Sequence, residues 1–257
     1  MKRGIFYTLL LLTMMSACKS KDDDPDPIPV VPVASDLIIS EMSTAINTDP
    51  LAAGARSHYV ELYNGTGKTV ELSNYAIGYY AVTDTSTLSN WNFSAVGSFI
   101  TLNKSLATGK CYVIASPQAD AATIKRDTTW GTSSTLAANS SMPLQLSGNS
   151  AIALLKKDAA GTFTLNGNSY KIVDAFGSPL VARVTAQGAV SARNNIIWTV
   201  ADQNKDTRNR TFWRKAASKD PNADWSKTKG TNADNSEWRV SEDRKWDYTN
   251  IGLPSTK

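Results

Sequence analysis

The sequence predicts an all-β fold, a two-sheet sandwich with long loop insertions. Short runs rich in β-branched and aromatic residues recur along the 257 residues. Gly, Asn, Ser and Thr separate them, which is how strands and turns alternate in an all-β chain. The 222 residues from Asp36 to Lys257, in a chain that is 41% hydrophobic, suffice for one core without disulfide or metal staples.

The runs lie at 37–41, 58–63, 69–72, 75–82, 99–102, 111–115, 151–156, 170–176, 196–200 and 211–215. Ten such runs supply two packed sheets. Between the second and third stands Asn64-Gly65-Thr66-Gly67-Lys68, whose glycines and asparagine tolerate positive φ, so those two runs are expected to pair as a hairpin. Residues 118–142 carry Ala, Thr and Ser in excess with little periodicity, which reads as an inserted loop with at most a short helix at 119–124.

The N-terminus is organised differently. Lys2 and Arg3 precede an apolar stretch from Ile5 to Met15, followed by Ser16-Ala17-Cys18. A helix needs about 20 apolar residues to cross the roughly 30 Å of a bilayer core, so this stretch reads as a signal peptide. The small-small-Cys ending resembles the lipobox of bacterial lipoproteins. That resemblance implies cleavage before Cys18 and acylation of its thiol and amine, and several acyl chains anchor a protein stably. Lys19-Ser20-Lys21-Asp22-Asp23-Asp24 is similar to the export signal of Gram-negative lipoproteins shown on the outer face; a solvated spacer is the alternative. Four prolines between Pro25 and Pro32 make a stiff, extended tether. The expected organisation is therefore a signal peptide over 1–17, the lipidated Cys18 with an acidic, proline-rich tether over 18–35, and one domain over 36–257. The expected location is the outer membrane, facing the cell surface, with the membrane itself as a partner through the lipid anchor.

Charge excludes one class of partner contact. The 27 Lys and Arg against 23 Asp and Glu become 25 against 23 once Lys2 and Arg3 leave with the signal peptide, too even a balance for a strong phosphate-attracting field. With Cys18 lipidated, only Cys111 remains, so no disulfide forms within the mature chain. Cys111 lies in an apolar strand, far in sequence from the single His58, and reads as a buried thiol and not a nucleophile.

Candidate chemistry is sparse. No Gly-x-Ser-x-Gly, phosphate loop or His-Glu-x-x-His is present. Asp202-Gln203-Asn204-Lys205-Asp206 matches the start of a calcium loop, but Thr207 stands where the glycine belongs and Trp213 where the bidentate glutamate belongs, so a polar turn is expected. Glu41 and Glu61 fall on neighbouring strands and with Asp174 are the only carboxylates to nominate for acid–base work. The competing reading gives the two glutamates a structural role, bonding loop amides or pairing with Arg56. No cofactor or metal is expected. Trp213, Trp225, Trp238 and Trp246 fall among basic residues that include Arg214 and Arg239. Two readings are open: a stacking platform for a glycan, nucleic acid or protein, or rings buried to pin loops to the sandwich.

Leu37-Ile38-Ile39-Ser40-Glu41, Tyr59-Val60-Glu61-Leu62-Tyr63-Asn64 and Gly67-Lys68-Thr69-Val70-Glu71-Leu72-Ser73-Asn74-Tyr75 resemble, in order, the opening of the lamin tail domain. The resemblance continues through 109–115, Leu144-Gln145-Leu146-Ser147-Gly148-Asn149 with 151–154, Ile172-Val173-Asp174-Ala175-Phe176-Gly177, and Phe212-Trp213-Arg214-Lys215. It implies an immunoglobulin-like β-sandwich acting as a non-catalytic binding or interaction module at the cell surface, with a glycan, nucleic-acid or protein ligand. Two departures are the neutral Ser150 after the Gly-Asn pair, where bacterial members often carry an acid, and the extra length. Two other functions stay open: an accessory or cryptic hydrolase acting on nucleic acid or glycan, and a structural component of a surface complex.

One consequence is directly measurable. Cys18→Ala is expected to abolish incorporation of labelled fatty acid and to move the protein from the detergent phase to the aqueous phase on phase partitioning.

Overall fold

The computed structural model describes residues 33–44, 57–81, 88–95, 97–131, 146, 150–182, 184–185, 196–201, 207–216, 218, 220–242 and 244–253. Residues from Val33 onward form one compact unit. Residues 1–32, with Cys18 and most of the tether, lie outside the described residues, as do the Asp202–Asp206 segment and Arg56; Val33–Ser35, expected in the tether, belong to the compact unit, the Ala34 amide donating to the Gly65 carbonyl at 3.0 Å and the Ser35 amide to Asp220 at 2.8 Å.

Two sheets carry the fold. The first has six strands in the order β15 (Trp238–Val240), β14 (Arg210–Arg214), β1 (Ile38–Thr44), β2 (Tyr59–Tyr63), β7 (Cys111–Ala115) and β8 (Thr128–Thr129). The second has five: β10 (Phe163–Leu165), β11 (Asn168–Phe176), β9 (Ser150–Lys157), β4 (Tyr75–Ala81) and β5 (Phe99–Thr101). Short ladders join β3 (Val70–Glu71) to β6 (Ser105–Leu106) and β12 (Val184–Thr185) to β13 (Ile196–Ile197). Every run of the sequence analysis holds a strand or part of one, and the fold is an all-β sandwich.

The core fills the space between the sheets. Alternation along each strand sends Met42, Val60, Leu62, Ile114 and Phe212 inward from the first sheet, to meet Ile77, Ile152, Leu154 and Phe176 from the second. At about 25 cal/mol per Å² of apolar surface, this burial dominates the stability. The second sheet also packs on its other side. Phe93 lies so close over Gly78 that a Cβ there would come within 2.3 Å of its ring, which is why a strand interior carries glycine here. Trp91 stacks on Phe93 and Phe163 meets it edge-on, at 5.6 and 5.2 Å between ring centroids.

One expectation is corrected. The runs around Asn64–Lys68 do not pair with each other: β2 lies between β1 and β7, and β3 pairs with β6. Asn64 is the reason. It is buried, and its amide donates to the carbonyls of Lys68 and Leu106, both at 2.8 Å, so the turn is tied across to the β6 side instead of closing a hairpin. Residues 119–124, where at most a short helix was expected, form a hydrogen-bonded turn closed by Asp120. The one α-helix among the described residues is α1 (Trp225–Thr228), whose first turn is capped by Asp224 accepting from the Ser226 amide.

A charged pair links the sheets inside the sandwich. Asp174 on β11 and Arg214 on β14 are 0% and 1% exposed and hydrogen-bonded to each other. Asp174 also accepts from the backbone amides of Ile39 (2.7 Å) and Asn222 (3.0 Å), and Arg214 reaches Glu237 at 2.8 Å while stacking over Trp238 at 4.7 Å. A buried pair is costly to desolvate, and removing one partner strands the other. Asp174→Ala is expected to cost about 3–5 kcal/mol in denaturant unfolding, and the double change with Arg214→Met to recover much of that loss.

Candidate functional site

The first sheet is covered on both faces. Its outer face carries Glu41 and Ser43 on β1, Tyr59 and Glu61 on β2, Cys111, Val113 and Ala115 on β7, and Thr211 and Trp213 on β14, as the strand registers require. Tyr59, Val113 and Ala115 form a small cluster there with Ala119 and Ile124, closed by Tyr248 and Ile251 near the C-terminus. Tyr248 meets Tyr59 edge-on at 6.1 Å. The Trp246 indole donates to the Thr44 carbonyl at 2.8 Å, and the Asp247 amide to the Thr211 hydroxyl at 3.0 Å. The segment 246–252 is thus a strap across β14, β1 and β2.

Under it lie two glutamates. Glu41 and Glu61 are register partners, directly opposed across the β1–β2 ladder, and both are 0% exposed. Like charges in that position repel, the more strongly for being out of water. Local donors hold them. The Tyr59 hydroxyl donates to Glu41 at 2.5 Å. The register slips at Ser40, a bulge that brings its hydroxyl to Glu61 Oε1 at 2.7 Å. The Gly252 amide, at the end of the strap, donates to Glu61 Oε2 at 2.6 Å.

Burial sets the protonation of this group. It pushes the Glu41 carboxyl up to about 8, with the Tyr59 hydrogen bond opposing and the Glu61 charge adding. Burial likewise raises Glu61, against hydrogen bonds from Ser40, Gly252 and Cys111. Tyr59, Cys111 and Tyr248 are all pushed up by burial, the first two also by the neighbouring carboxylates, so none supplies a ready anion. The outer face therefore disfavours ionising both carboxyls at neutral pH and gives no carboxylate to solvent. Among the described residues no three His, Cys, Asp or Glu side chains come together to hold a metal ion.

Comparison with known proteins adds little. No family model matches the chain, and no curated protein matches it. Among solved structures the chain is similar to a DUF4876 family protein from Bacteroides thetaiotaomicron VPI-5482, at 13% identity and a TM-score of 0.37, over 87% of this chain and 72% of that one.

The tryptophan platform is corrected by the packing. Trp225 and Trp238 are each 1% exposed and Trp213 7%, so none of the three offers a face to a ligand. Trp225 and Trp238 pack against Phe176 at 4.8 and 5.0 Å, closing the core beside α1. Arg214 is buried in the Asp174 pair, Trp246 is half-buried as part of the strap, and only Arg239 is exposed. Of the readings given for the glutamates, Glu61 does bond a loop amide, that of Gly252. Asp174 belongs to the pair between the sheets, apart from both. The sequence offered Trp246 only as a platform ring, and gave no site role to Tyr59, Ser40, Tyr248 or Gly252. The Ser40-Glu41 and Tyr59-Val60-Glu61 patterns placed polar groups within strands, which is the signal that could have found Tyr59 and Ser40.

The raised carboxyls tie stability to pH with a definite sign. An acid that binds its proton more tightly folded than unfolded contributes stability fully present below its unfolded value, near 4.5, and lost as pH rises toward its folded value, near 8 for Glu41. Unfolding free energy should fall over that window with a slope of at most about 1.4 kcal/mol per pH unit from this one group. Glu41→Gln is expected to flatten the slope, read by urea denaturation at pH 5, 6, 7 and 8.

Proposed function

We propose that this chain is a lipid-anchored, non-catalytic interaction module of the lamin-tail type, held at the outer membrane through Cys18 and facing the cell surface. The observation that carries the reading is the fate of Glu41, Glu61 and Asp174. All three are fully buried, and each is engaged in holding the sandwich together. A general acid or nucleophile has to reach substrate; these side chains reach only their own protein. In support of the family resemblance, most of the segments that carry it contribute strands: β1, β2, β3, β4, β7, β9, β11 and β14.

Geometry favours one end for recognition. The domain begins at Val33, and just after it the Asp36 carboxylate bonds Lys156 at 2.6 Å and the Tyr75 hydroxyl, at the end where β1 starts. The loops after β4 and β11 lie at the other end, tied to each other by the Ser89 amide and the Pro179 carbonyl at 3.1 Å. They expose Leu88 at 54% and Leu180 at 52%. A protein partner suits this surface better than a sugar or a base, because the rings that would stack on those ligands are mostly in the core. No helix among the described residues is long and apolar enough to cross a membrane.

The test uses the detergent-solubilised lipoprotein. Generic nucleic-acid and glycan substrates with Mg²⁺, Ca²⁺ or Zn²⁺ should give no turnover, and cross-linking in intact cells should yield an envelope protein whose capture drops with Leu88→Asp or Leu180→Asp. Turnover abolished by Glu41→Gln or Glu61→Gln would replace this reading with the hydrolase one.

A further inference from the structure

The strap carries a left-handed residue at each end. It leaves β15 through Arg244, a non-glycine residue held in the left-handed region at φ +53°, and ends at Gly252, at φ +81°. Between them it grips the sheet at several points, among them the Trp246 indole on Thr44, the Asp247 amide on Thr211, the Tyr248 and Ile251 side chains on the Tyr59 cluster, and the Gly252 amide on Glu61. One of these contacts is made to a member of the opposed carboxyl pair, and Tyr248 lies against the tyrosine that bonds the other.

Several of the groups around the pair are acidic or neutral. From β2 it faces Tyr59, from β7 Cys111, from the strap Asp247 and Tyr248, and from the segment before β8 Asp127; Asp247 and Asp127 both act to keep protons on the pair. The basic residue nearest by register is Arg239 on β15, which lies beyond Trp213 and is exposed.

We propose that the strap 246–252 is a proton-held latch: it lies closed while the Glu41–Glu61 pair carries at most one negative charge, and lifts when both carboxyls ionise. Two charges directly opposed in an unhydrated site are relieved by admitting water, and the strap is the covering that can be removed without breaking a sheet. Lifting it frees Arg244 from its left-handed conformation and opens the Tyr59–Val113–Ala115 face. The strap closes at neutral and acidic pH and opens toward alkaline pH, following the raised carboxyls beneath it.

Amide hydrogen exchange of the full-length lipoprotein in detergent, corrected for the intrinsic rate at each pH, tests this between pH 6 and 9. Protection at 246–252 is expected to fall by roughly tenfold or more while β9 keeps its protection, since each pH unit past ionisation weakens closure by up to about tenfold. Glu41→Gln removes one of the two charges and should leave the strap protected at pH 9. Trp246→Phe, which retains the pair and loses the bond to Thr44, should lower the opening pH. Should Glu41→Gln fail to fold, Glu61→Gln is read in its place. Strap protection that does not change with pH, that falls together with β9, or that falls equally in the glutamine variant overturns the latch.

Discussion

Glu41 and Glu61 stand side by side at the centre of a sheet that is out of water on both faces, and much of the structure answers to that placement. A half-buried antiparallel sheet turns its polar residues outward to solvent at no cost. Here the outward positions are covered by a strap and by the loop around Ala119–Ile124, so the same residues have to find partners or protons. Tyr59, Ser40 and the Gly252 amide supply the partners, and the raised carboxyl of Glu41 shows that a proton supplies the rest. The bulge at Ser40 belongs to the same constraint, because a regular ladder would send that hydroxyl to the core side.

The interior between the sheets solves a related problem by the opposite route. Asp174 and Arg214 are as deeply buried as the glutamates, but they are of opposite sign and surrounded by donors and acceptors that use their remaining capacity. Such a pair contributes little net stability against an apolar substitute of similar volume; what it specifies is which strand faces which. Asp174 accepts from β1 while paired to β14, so one carboxylate fixes β11 against two strands of the other sheet. The indole of Trp238 beneath Arg214 then joins this polar group to the aromatic wall of Phe176 and Trp225.

This contrast explains what could be read in the sequence. Strands longer than three residues were visible because their apolar periodicity is carried by the strand itself: β1, β2, β4, β7, β9, β11 and β14 all fall on predicted runs. β8, β10 and β15 were not, since two or three residues carry no period, and they form only because a neighbouring strand offers an edge. The hairpin expected at Asn64–Lys68 failed because a turn sequence specifies a reversal and not the strand that receives the chain afterwards; the Asn64 amide, reaching Leu106 across 42 residues, decided that. The tryptophans misled in the same manner. Their spacing among basic residues is compatible with a surface, but Arg214 is consumed by Asp174, and the rings follow it inward.

The candidate site was legible only in part, for a reason that bears on function. A carboxylate in a strand is ordinarily read as pointing to solvent, and two of them on neighbouring strands as a pair able to act on something outside. Whether they do depends on a segment almost 200 residues downstream, whose Trp246, Tyr248 and Gly252 look in sequence like a polar tail. Burial and closure are therefore decided together by the strap. Under the strap, burial holds both carboxyls above their ordinary range, while the Gly252 amide opposes that rise at Glu61. The protonation state of the outer face and the position of the strap are linked quantities, and neither can be assigned without the other.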